Sequence, residues 1–145
     1  ATYDSCGECG GNGSSCGSNS LIDCGSTVEL FGQVYNVNST YYLDFEDNQI
    51  ISTISSQIGC LVNLVELDLE NNQLYGSIPP ELSNLTNLNY LDLENNNLSG
   101  TIPNSVKELI LQINSNGGYT SLIENQNLSE IDWINENACG DCNYP

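Results

Sequence analysis

The sequence has 145 residues, with 19 acidic residues, one basic residue and no histidine, and its formal net charge at pH 7 is −18. This charge excludes nucleic acid as a partner, because phosphate binding needs a basic surface, and it disfavours binding to anionic membranes. It favours cationic partners such as metal ions, basic proteins or basic peptides. A surface that is acidic only for solubility would have the same composition. The sequence has no run of eighteen apolar residues, so no transmembrane helix is predicted.

Residues 1–25 are rich in glycine, serine and cysteine and have few apolar side chains to bury. Seven cysteines in so short a chain indicate an oxidising compartment. Five N-x-S/T sequons agree and predict a glycoprotein; their asparagines are Asn12, Asn38, Asn84, Asn97 and Asn127. The chain begins at Ala1 without an initiator methionine, as expected after removal of a signal peptide. We therefore expect a secreted, extracellular protein.

A period of 24 residues begins near Val37. Segments 61–84 (LVNLVELDLENNQLYGSIPPELSN) and 85–108 (LTNLNYLDLENNNLSGTIPNSVKE) align closely, and 37–60 fits the same frame. A fourth, degraded copy is predicted over 109–121. Its frame positions are Leu109, Leu111, Ile113, Asn116 and Gly118.

The shared pattern is L-x-x-L-x-x-L-x-L-x-x-N-x-L, which resembles the leucine-rich repeat family. Its continuation, L-x-G-x-I-P, is similar to the plant-type extracellular subclass. That continuation is carried by Leu74, Gly76, Ile78 and Pro79, and then by Leu98, Gly100, Ile102 and Pro103. The resemblance implies an α/β solenoid, a right-handed stack of about four coils with a parallel concave sheet. It also implies a non-enzymatic binding module, since plant-type relatives are commonly receptors, co-receptors or inhibitors.

Each coil is predicted to supply one strand, because the two leucines of L-x-L share one strand face and stack on their equivalents in neighbouring coils. The Asn positions form a ladder that we expect to satisfy backbone groups where the chain leaves each strand. The ladder consists of Asn48, Asn72, Asn96 and Asn116.

The ends of a coil stack expose apolar surface and need caps. We expect a Cys-rich cap over 1–36, extended by the apolar segment 34–37, and a second cap over 122–145 in which Trp133 covers the last coil. The apolar residues of the second cap are Leu122, Ile123, Leu128, Ile131, Trp133 and Ile134.

The cysteines are predicted to form disulfides within each cap. They are Cys6, Cys9, Cys16 and Cys24 at one end, with three connectivities open, and Cys139 and Cys142 at the other. Because seven is odd, one thiol is free or one disulfide joins two chains, and Cys60 lies apart at a repeat junction. A zinc site is rejected because the two C-x-x-C pairs lie at opposite ends of the stack.

The outward positions of the predicted strands form columns of similar side chains, all expected to face solvent. One column is Asp44, Asp68, Asp92 and Gln112; the next is Glu46, Glu70, Glu94 and Asn114; a third is Asp47, Asn71, Asn95 and Ser115. On the other side lie Tyr42, Glu66 and Tyr90, flanked by Tyr41, Val65 and Asn89.

The two acidic columns are the part of the sequence most informative about function. The resemblance implies a framework role for the Asp column, but the family usually has a small polar residue where this chain has Glu. Two carboxylates 4.8 Å apart repel by about 0.9 kcal/mol in water, and a cation would relieve this. We therefore predict a face that binds a protein or basic peptide: Tyr42, Asp44, Glu46, Glu66, Asp68, Glu70, Tyr90, Asp92 and Glu94. Its candidate Ca²⁺ ligands are Asp44, Glu46, Asp68, Glu70, Asp92 and Glu94.

Other functions fit the sequence less well. An enzyme is disfavoured by the lack of histidine, of a G-x-S-x-G motif and of a phosphate-binding loop, and an exposed acidic ladder offers no cleft to raise a carboxyl pKa. The alternative is an extracellular structural, matrix or adhesion protein that assembles through its caps and odd cysteine, as a disulfide-linked or weak homo-oligomer. Ice binding is disfavoured by the acidic columns. Apart from calcium, no cofactor is predicted.

Overall fold

The structure, a computed structural model, describes residues 22–140, which form a short leucine-rich repeat solenoid. In chain order the elements are β1 (Thr27–Leu30), β2 (Gln33–Asn36), β3 (Tyr42–Asp44), β4 (Glu66–Asp68), β5 (Tyr75–Gly76), β6 (Tyr90–Asp92), β7 (Asn97–Gly100), α1 (Asn104–Ser115), β8 (Tyr119–Ser121), β9 (Asn127–Leu128) and α2 (Ile131–Asn137). Short 3-10 helices, Ser56–Cys60 and Pro80–Asn84, complete the first and second coils. Over the range 22–140, no helix has the length and apolar character needed to cross a bilayer.

Each coil contributes strands to two parallel sheets. The four-stranded concave sheet has the order β3-β4-β6-β8, and the three-stranded second sheet has the order β5-β7-β9. In the concave sheet Leu43, Leu67 and Leu91 are register partners. These leucines and their equivalents are buried between the sheets and form one continuous core. The predicted α/β solenoid with a parallel sheet is therefore confirmed.

The asparagine ladder joins the two sheets. Asn96 accepts a hydrogen bond at Oδ1 from the Leu74 N–H (3.0 Å) and donates from Nδ2 to the Leu69 carbonyl oxygen (2.8 Å). Asn72 makes equivalent bonds one coil earlier. These amides satisfy backbone groups that the turn leaves without partners, as predicted for both residues.

The frame of the fourth coil was predicted wrongly. Residues 104–115 form α1, with Val106, Leu109, Ile110 and Ile113 buried on one helix face, and the fourth strand is β8. In β8, Thr120 is the register partner of Leu91, so the third coil, which ends in α1, is 29 residues long rather than 24. Asn125, not Asn116, takes the ladder position and accepts from the Leu98 N–H at 3.1 Å.

Gly118 marks the close approach at which this longer coil returns to the sheet. A Cβ at this position would lie 2.3 Å from the Asn89 carbonyl oxygen, so only glycine fits. The 24-residue alignment predicted Gly118 near the end of a degraded repeat, whereas it directly precedes strand β8.

An antiparallel hairpin of β1 and β2 packs on the first coil. Phe31 and Tyr35 meet the Phe45 ring edge-on, with centroids 5.2 and 6.1 Å away. Cys24 forms a disulfide with Cys60, which corrects the prediction that Cys24 pairs within the N-terminal group. The reason is spatial: the repeat junction at Cys60 folds back beside the cap.

The remaining cysteines are not fully covered by the structure. Cys139 is disulfide-bonded. Four further cysteines of the predicted pairs, Cys6, Cys9, Cys16 and Cys142, lie outside the described residues.

The C-terminal helix α2 closes the other end of the stack. Ile134 is buried there, and Trp133 packs partly buried against the core. The Lys107 ammonium lies 5.3 Å from the Trp133 ring centroid and 2.5 Å from Glu130 Oε1. The boundaries between caps and repeats at residues 36 and 121 remain predictions.

Candidate partner-binding face

The outward side chains of β3, β4 and β6, with the residue two positions after each strand, form a patch that we call the acidic face. It comprises Tyr42, Asp44, Glu46, Glu66, Asp68, Glu70, Tyr90, Asp92 and Glu94. The register places Asp44, Asp68 and Asp92 side by side across the three strands. The structure thus brings the predicted site residues together on one sheet.

The aspartates of this face have a framework role. Asp44, Asp68 and Asp92 each accept, at Oδ1, a hydrogen bond from the backbone N–H two residues later, at 3.1, 3.0 and 2.9 Å. These bonds hold the chain as it turns off each strand, which agrees with the role that the family resemblance implies.

Two of the aspartates do not face solvent as expected. Asp44 is exposed, but Asp68 is 8% and Asp92 only 1% exposed. Tyr90 lies beside Asp92, with Oη 3.4 Å from Oδ2, and its ring stacks on Tyr119 with centroids 4.8 Å apart. The stacked tyrosines therefore lie beside the aspartate and help to shield it from water.

The pKa of Asp92 is raised to about 6, mainly by burial, against the lowering effect of the Glu94 N–H bond and with smaller contributions from the Asp68, Glu70 and Glu94 carboxylates. The expectation that this face has no carboxyl group with a raised pKa was therefore wrong. It failed because burial of an outward residue depends on neighbours from other coils.

The glutamates are not used by the backbone in this way. Glu46 is exposed, Glu70 accepts from Asn71 Nδ2 at 3.0 Å, and Glu94 accepts from Ser121 Oγ at 2.8 Å. Burial raises the pKa of Glu70, followed by the charges of Glu94, Glu46 and Asp68. The Glu column therefore concentrates negative charge at an energetic cost to the fold.

The acidic columns end at β6. In the fourth coil Tyr119, Ser121 and Ile123 occupy the outward positions, and Ser121 is buried. The predicted fourth members are instead residues of α1: Gln112, Asn114 and Ser115. The third column also has a backbone role, since Asp47, Asn71, Asn95 and Glu124 share a positive φ, which Asn and Asp adopt more readily than most residues.

Five of the six predicted Ca²⁺ ligands form two groups with ligand atoms within 4.8 Å of one another: Asp44 with Glu46 and Asp68, and Asp68 with Glu70 and Asp92. Glu94 belongs to neither group. Binding of Ca²⁺ by these residues remains a prediction.

The chain's single basic side chain is occupied elsewhere. Hydrogen bonds from Lys107 Nζ and from the Ile102 N–H lower the pKa of Glu130, and all three residues belong to the contact between α1 and the C-terminal cap. Since the sequence has no second basic side chain, the acidic face has no basic side chain of its own chain available to neutralise it.

Four of the predicted glycosylation sites, Asn38, Asn84, Asn97 and Asn127, are exposed. Asn12 lies outside the described residues.

The profile of the family described as "Leucine Rich Repeat" matches residues 63–85 and 87–109. No curated protein sequence matches the chain. Among solved structures, a chain of the BIR3–SERK2 complex from Arabidopsis thaliana is 41% identical, with a TM-score of 0.45, over 47% of this chain and 36% of that one. The plant peptide hormone receptor RGFR1 in complex with RGF2 is 42% identical, with a TM-score of 0.46, over 48% of this chain and 11% of that one.

A plant ice-binding protein is 28% identical, with a TM-score of 0.40, over 61% of this chain and 28% of that one. This chain thus spans well under half the length of each of these three structures. The matched repeats and the coil geometry show a leucine-rich repeat solenoid whose second and third coils carry the plant-type L-x-G-x-I-P continuation.

Proposed function

We propose that this protein is an extracellular, non-enzymatic binding module whose acidic face binds a basic peptide or a basic segment of a protein. The observation that carries the proposal is the Glu column of Glu46, Glu70 and Glu94. The coil does not require these residues, because the backbone N–H groups at the turns are already satisfied by the aspartates.

The electrostatics of the face support a cationic ligand. Like charges on neighbouring strands destabilise a sheet, and the charges of Glu94, Glu46 and Asp68 add to the effect of burial in raising the pKa of Glu70. Lys107, the only basic side chain, is paired with Glu130 in the cap. Neutralisation of the acidic face by a basic side chain therefore has to come from another molecule.

The shape of the face fits an extended ligand. Repeat solenoids bind along their concave sheets, and here three adjacent strands are each followed by one glutamate of the Glu column, at about 4.8 Å spacing. Beyond them the stacked pair Tyr90 and Tyr119 offers an aromatic end to the face. A peptide with several Lys or Arg residues matches the column, and cation–π contact is available to a residue that reaches the tyrosines.

An extracellular location is supported by the Cys24–Cys60 disulfide and by the four exposed sequons. The matrix alternative predicts disulfide-linked multimers. Cys60, which the sequence had left apart as a candidate for the odd thiol, is paired within the chain. A ladder of multimers on a non-reducing gel that collapses on reduction would favour the matrix role.

The test compares two variants of equal net charge. In the first, Glu46, Glu70 and Glu94 are replaced by Gln. In the second, glutamates away from the acidic face are replaced by Gln: Glu81, Glu108 and Glu136. Binding of a fluorescent Lys/Arg-rich peptide is measured by anisotropy at low and at physiological salt.

We expect the first variant to bind at least about tenfold more weakly, which corresponds to about 1.4 kcal/mol, and the control to change by less than about twofold. Equal weakening in both variants would mean that only net charge matters and would contradict the proposal. Calcium is the competing ligand for the same carboxylates. Calorimetry with Ca²⁺ alone, on the parent and the first variant, tests it, and absence of heat at millimolar calcium would exclude the metal.

A further inference from the structure

The second sheet has a surface that the proposed function does not use. Residues 72–80 and 96–103, which contain β5 and β7, include no charged side chain, although the chain has 19 acidic residues. Two large apolar side chains are exposed here: Tyr75, which is 51% exposed, and Ile51 one coil earlier, which is 70% exposed. This strip is uncharged and partly apolar, so it suits a neutral ligand better than a charged one.

Two sequons lie on this sheet. Asn97 in β7 is exposed and is the register partner of Tyr75 in β5. Asn127 in β9 is exposed and is the register partner of Ser99. Register partners on neighbouring strands emerge on the same side of a sheet, about 4.8 Å apart. The amide of Asn97 and the ring of Tyr75 therefore leave the sheet side by side.

We propose that Asn97 is N-glycosylated, that the first sugar of its glycan packs on the ring of Tyr75, and that a second glycan on Asn127 extends the cover over the same sheet. The donor is a lipid-linked diphosphate oligosaccharide. The Asn97 Nδ2 nitrogen attacks the anomeric carbon C1, so the N–C1 bond forms while the C1–O bond to the diphosphate breaks. One amide proton passes to a base of the transferring enzyme, and the lipid diphosphate leaves.

The chemistry of the surface fits a sugar better than a charged ligand. The C–H face of a pyranose is apolar and suits the exposed face of Tyr75, while its hydroxyls suit neighbouring uncharged groups. Those groups are Gln73, Ser77, Ser99 and Thr101. The attached glycan is thus the occupant of the exposed strip, and it removes Tyr75 from contact with other macromolecules.

The position of the sequons also separates the two sheets. None of the five sequon asparagines lies in β3, β4, β6 or β8. The glycans at Asn97 and Asn127 therefore lie on the second sheet and not on the strands that carry the acidic face. The inference stands whether or not the acidic face binds a basic peptide, because it concerns other residues.

The test begins with the whole chain secreted from eukaryotic cells, with site occupancy measured by glycopeptide mass spectrometry. The glycans are trimmed enzymatically to the first sugar, and melting temperatures are compared with those of Ser99→Ala, which removes only the Asn97 sequon. The parent chain and Ser99→Ala are also made in a bacterial periplasm, without glycans. Their difference in melting temperature then gives the effect of the Ser99 hydroxyl alone. The whole comparison is repeated in chains that carry Tyr75→Ala or Tyr41→Ala. Tyr41 is the matched control, because it is similarly exposed and lies outside this sheet.

We expect Asn97 and Asn127 to be occupied. One sugar at Asn97 should raise the melting temperature by about 2–4 °C, and this rise should fall by at least half in Tyr75→Ala but not in Tyr41→Ala. An unmodified Asn97 in the secreted chain, or an equal rise in the Tyr75→Ala chain, would overturn the inference.

Discussion

The concave sheet and the second sheet receive strands from the same coils, and both are parallel. Three strands of the concave sheet present stacked carboxylates, whereas residues 72–80 and 96–103 of the second sheet carry no charge. A chain that needed acidic residues only for solubility would distribute them over both sheets. This difference supports the two proposals, that a cationic ligand binds the acidic face and that a neutral glycan covers part of the second sheet.

The largest predicted effect comes from the residue that joins the two sheets. Asn96→Ala leaves the Leu74 N–H and the Leu69 carbonyl oxygen without their buried partner. A buried polar group without a partner costs about 1–3 kcal/mol, so we expect the free energy of unfolding to fall by about 3 kcal/mol, measured by urea denaturation. The control Asn97→Ala, at an exposed position, should change it by less than about 0.5 kcal/mol when both chains are made without glycans. A loss below about 1 kcal/mol for Asn96→Ala would mean that water replaces the amide.

The second and third coils could be predicted because every structural position in them carries its usual residue. Leu67 and Leu91 identify the strands, and Asn72 and Asn96 identify the turns. The fourth coil could not, because its strand has Thr120 where the others have leucine. The apolar residues that precede this strand, Leu109 and Ile113, have the four-residue spacing of a helix face. Aligned on a 24-residue period, they predict a degraded repeat.

The sequence predicted which residues form the acidic face, but it did not predict that two of its aspartates are buried. Period-two alternation places Asp92 on the outward side of its strand, and that much was correct. Asp92 pairs with Ser121 of β8, and the position of that strand follows from the helix α1, which the 24-residue frame did not predict. The Cys24–Cys60 pairing failed for a similar reason, since it depends on contact between the cap and a distant repeat junction.

A smaller effect is the pH dependence of stability that Asp92 gives to the concave sheet. Its pKa is raised to about 6 in the folded chain from an ordinary value of 3.8, so the folded state binds the proton more tightly than the unfolded state. The Asp92 carboxyl group therefore stabilises the folded state at low pH, and this contribution is lost as pH rises through about 6. The shift corresponds to about 3 kcal/mol, which solvent screening reduces to about 1–2 kcal/mol.

Melting temperature should therefore rise between about pH 7 and about pH 5, and Asp92→Asn should abolish most of that rise. The range stops at pH 5 because the lowered pKa of Glu130 acts in the opposite direction: its contribution is lost as pH falls below the ordinary value of 4.5. Glu81→Gln, whose carboxyl group lies away from the acidic face, serves as the control and should keep the rise. A flat profile in the parent chain would show that Asp92 is not shielded from water.

The smallest effect contrasts one residue from each sheet. Glu70→Gln removes a carboxylate that lies between Glu46 and Glu94, and we expect it to raise the free energy of unfolding by about 0.5 kcal/mol. Gln73→Glu places a carboxylate on the side of the uncharged second sheet and should lower it by less than that, since no charged neighbour stands opposite. About 1 M salt should reduce the Glu70 gain, because the screening length falls to about 3 Å.

The same two variants also separate stability from binding. If the Glu column serves a basic ligand, Glu70→Gln should gain stability and lose affinity for a Lys/Arg-rich peptide, while Gln73→Glu should leave affinity within about twofold of the parent. If the Glu70 charge destabilises the fold but contributes to binding, its removal should raise stability and lower affinity. A Glu70→Gln chain that gains stability without losing affinity would leave the carboxylates as a tolerated surface and remove the functional distinction between the two sheets.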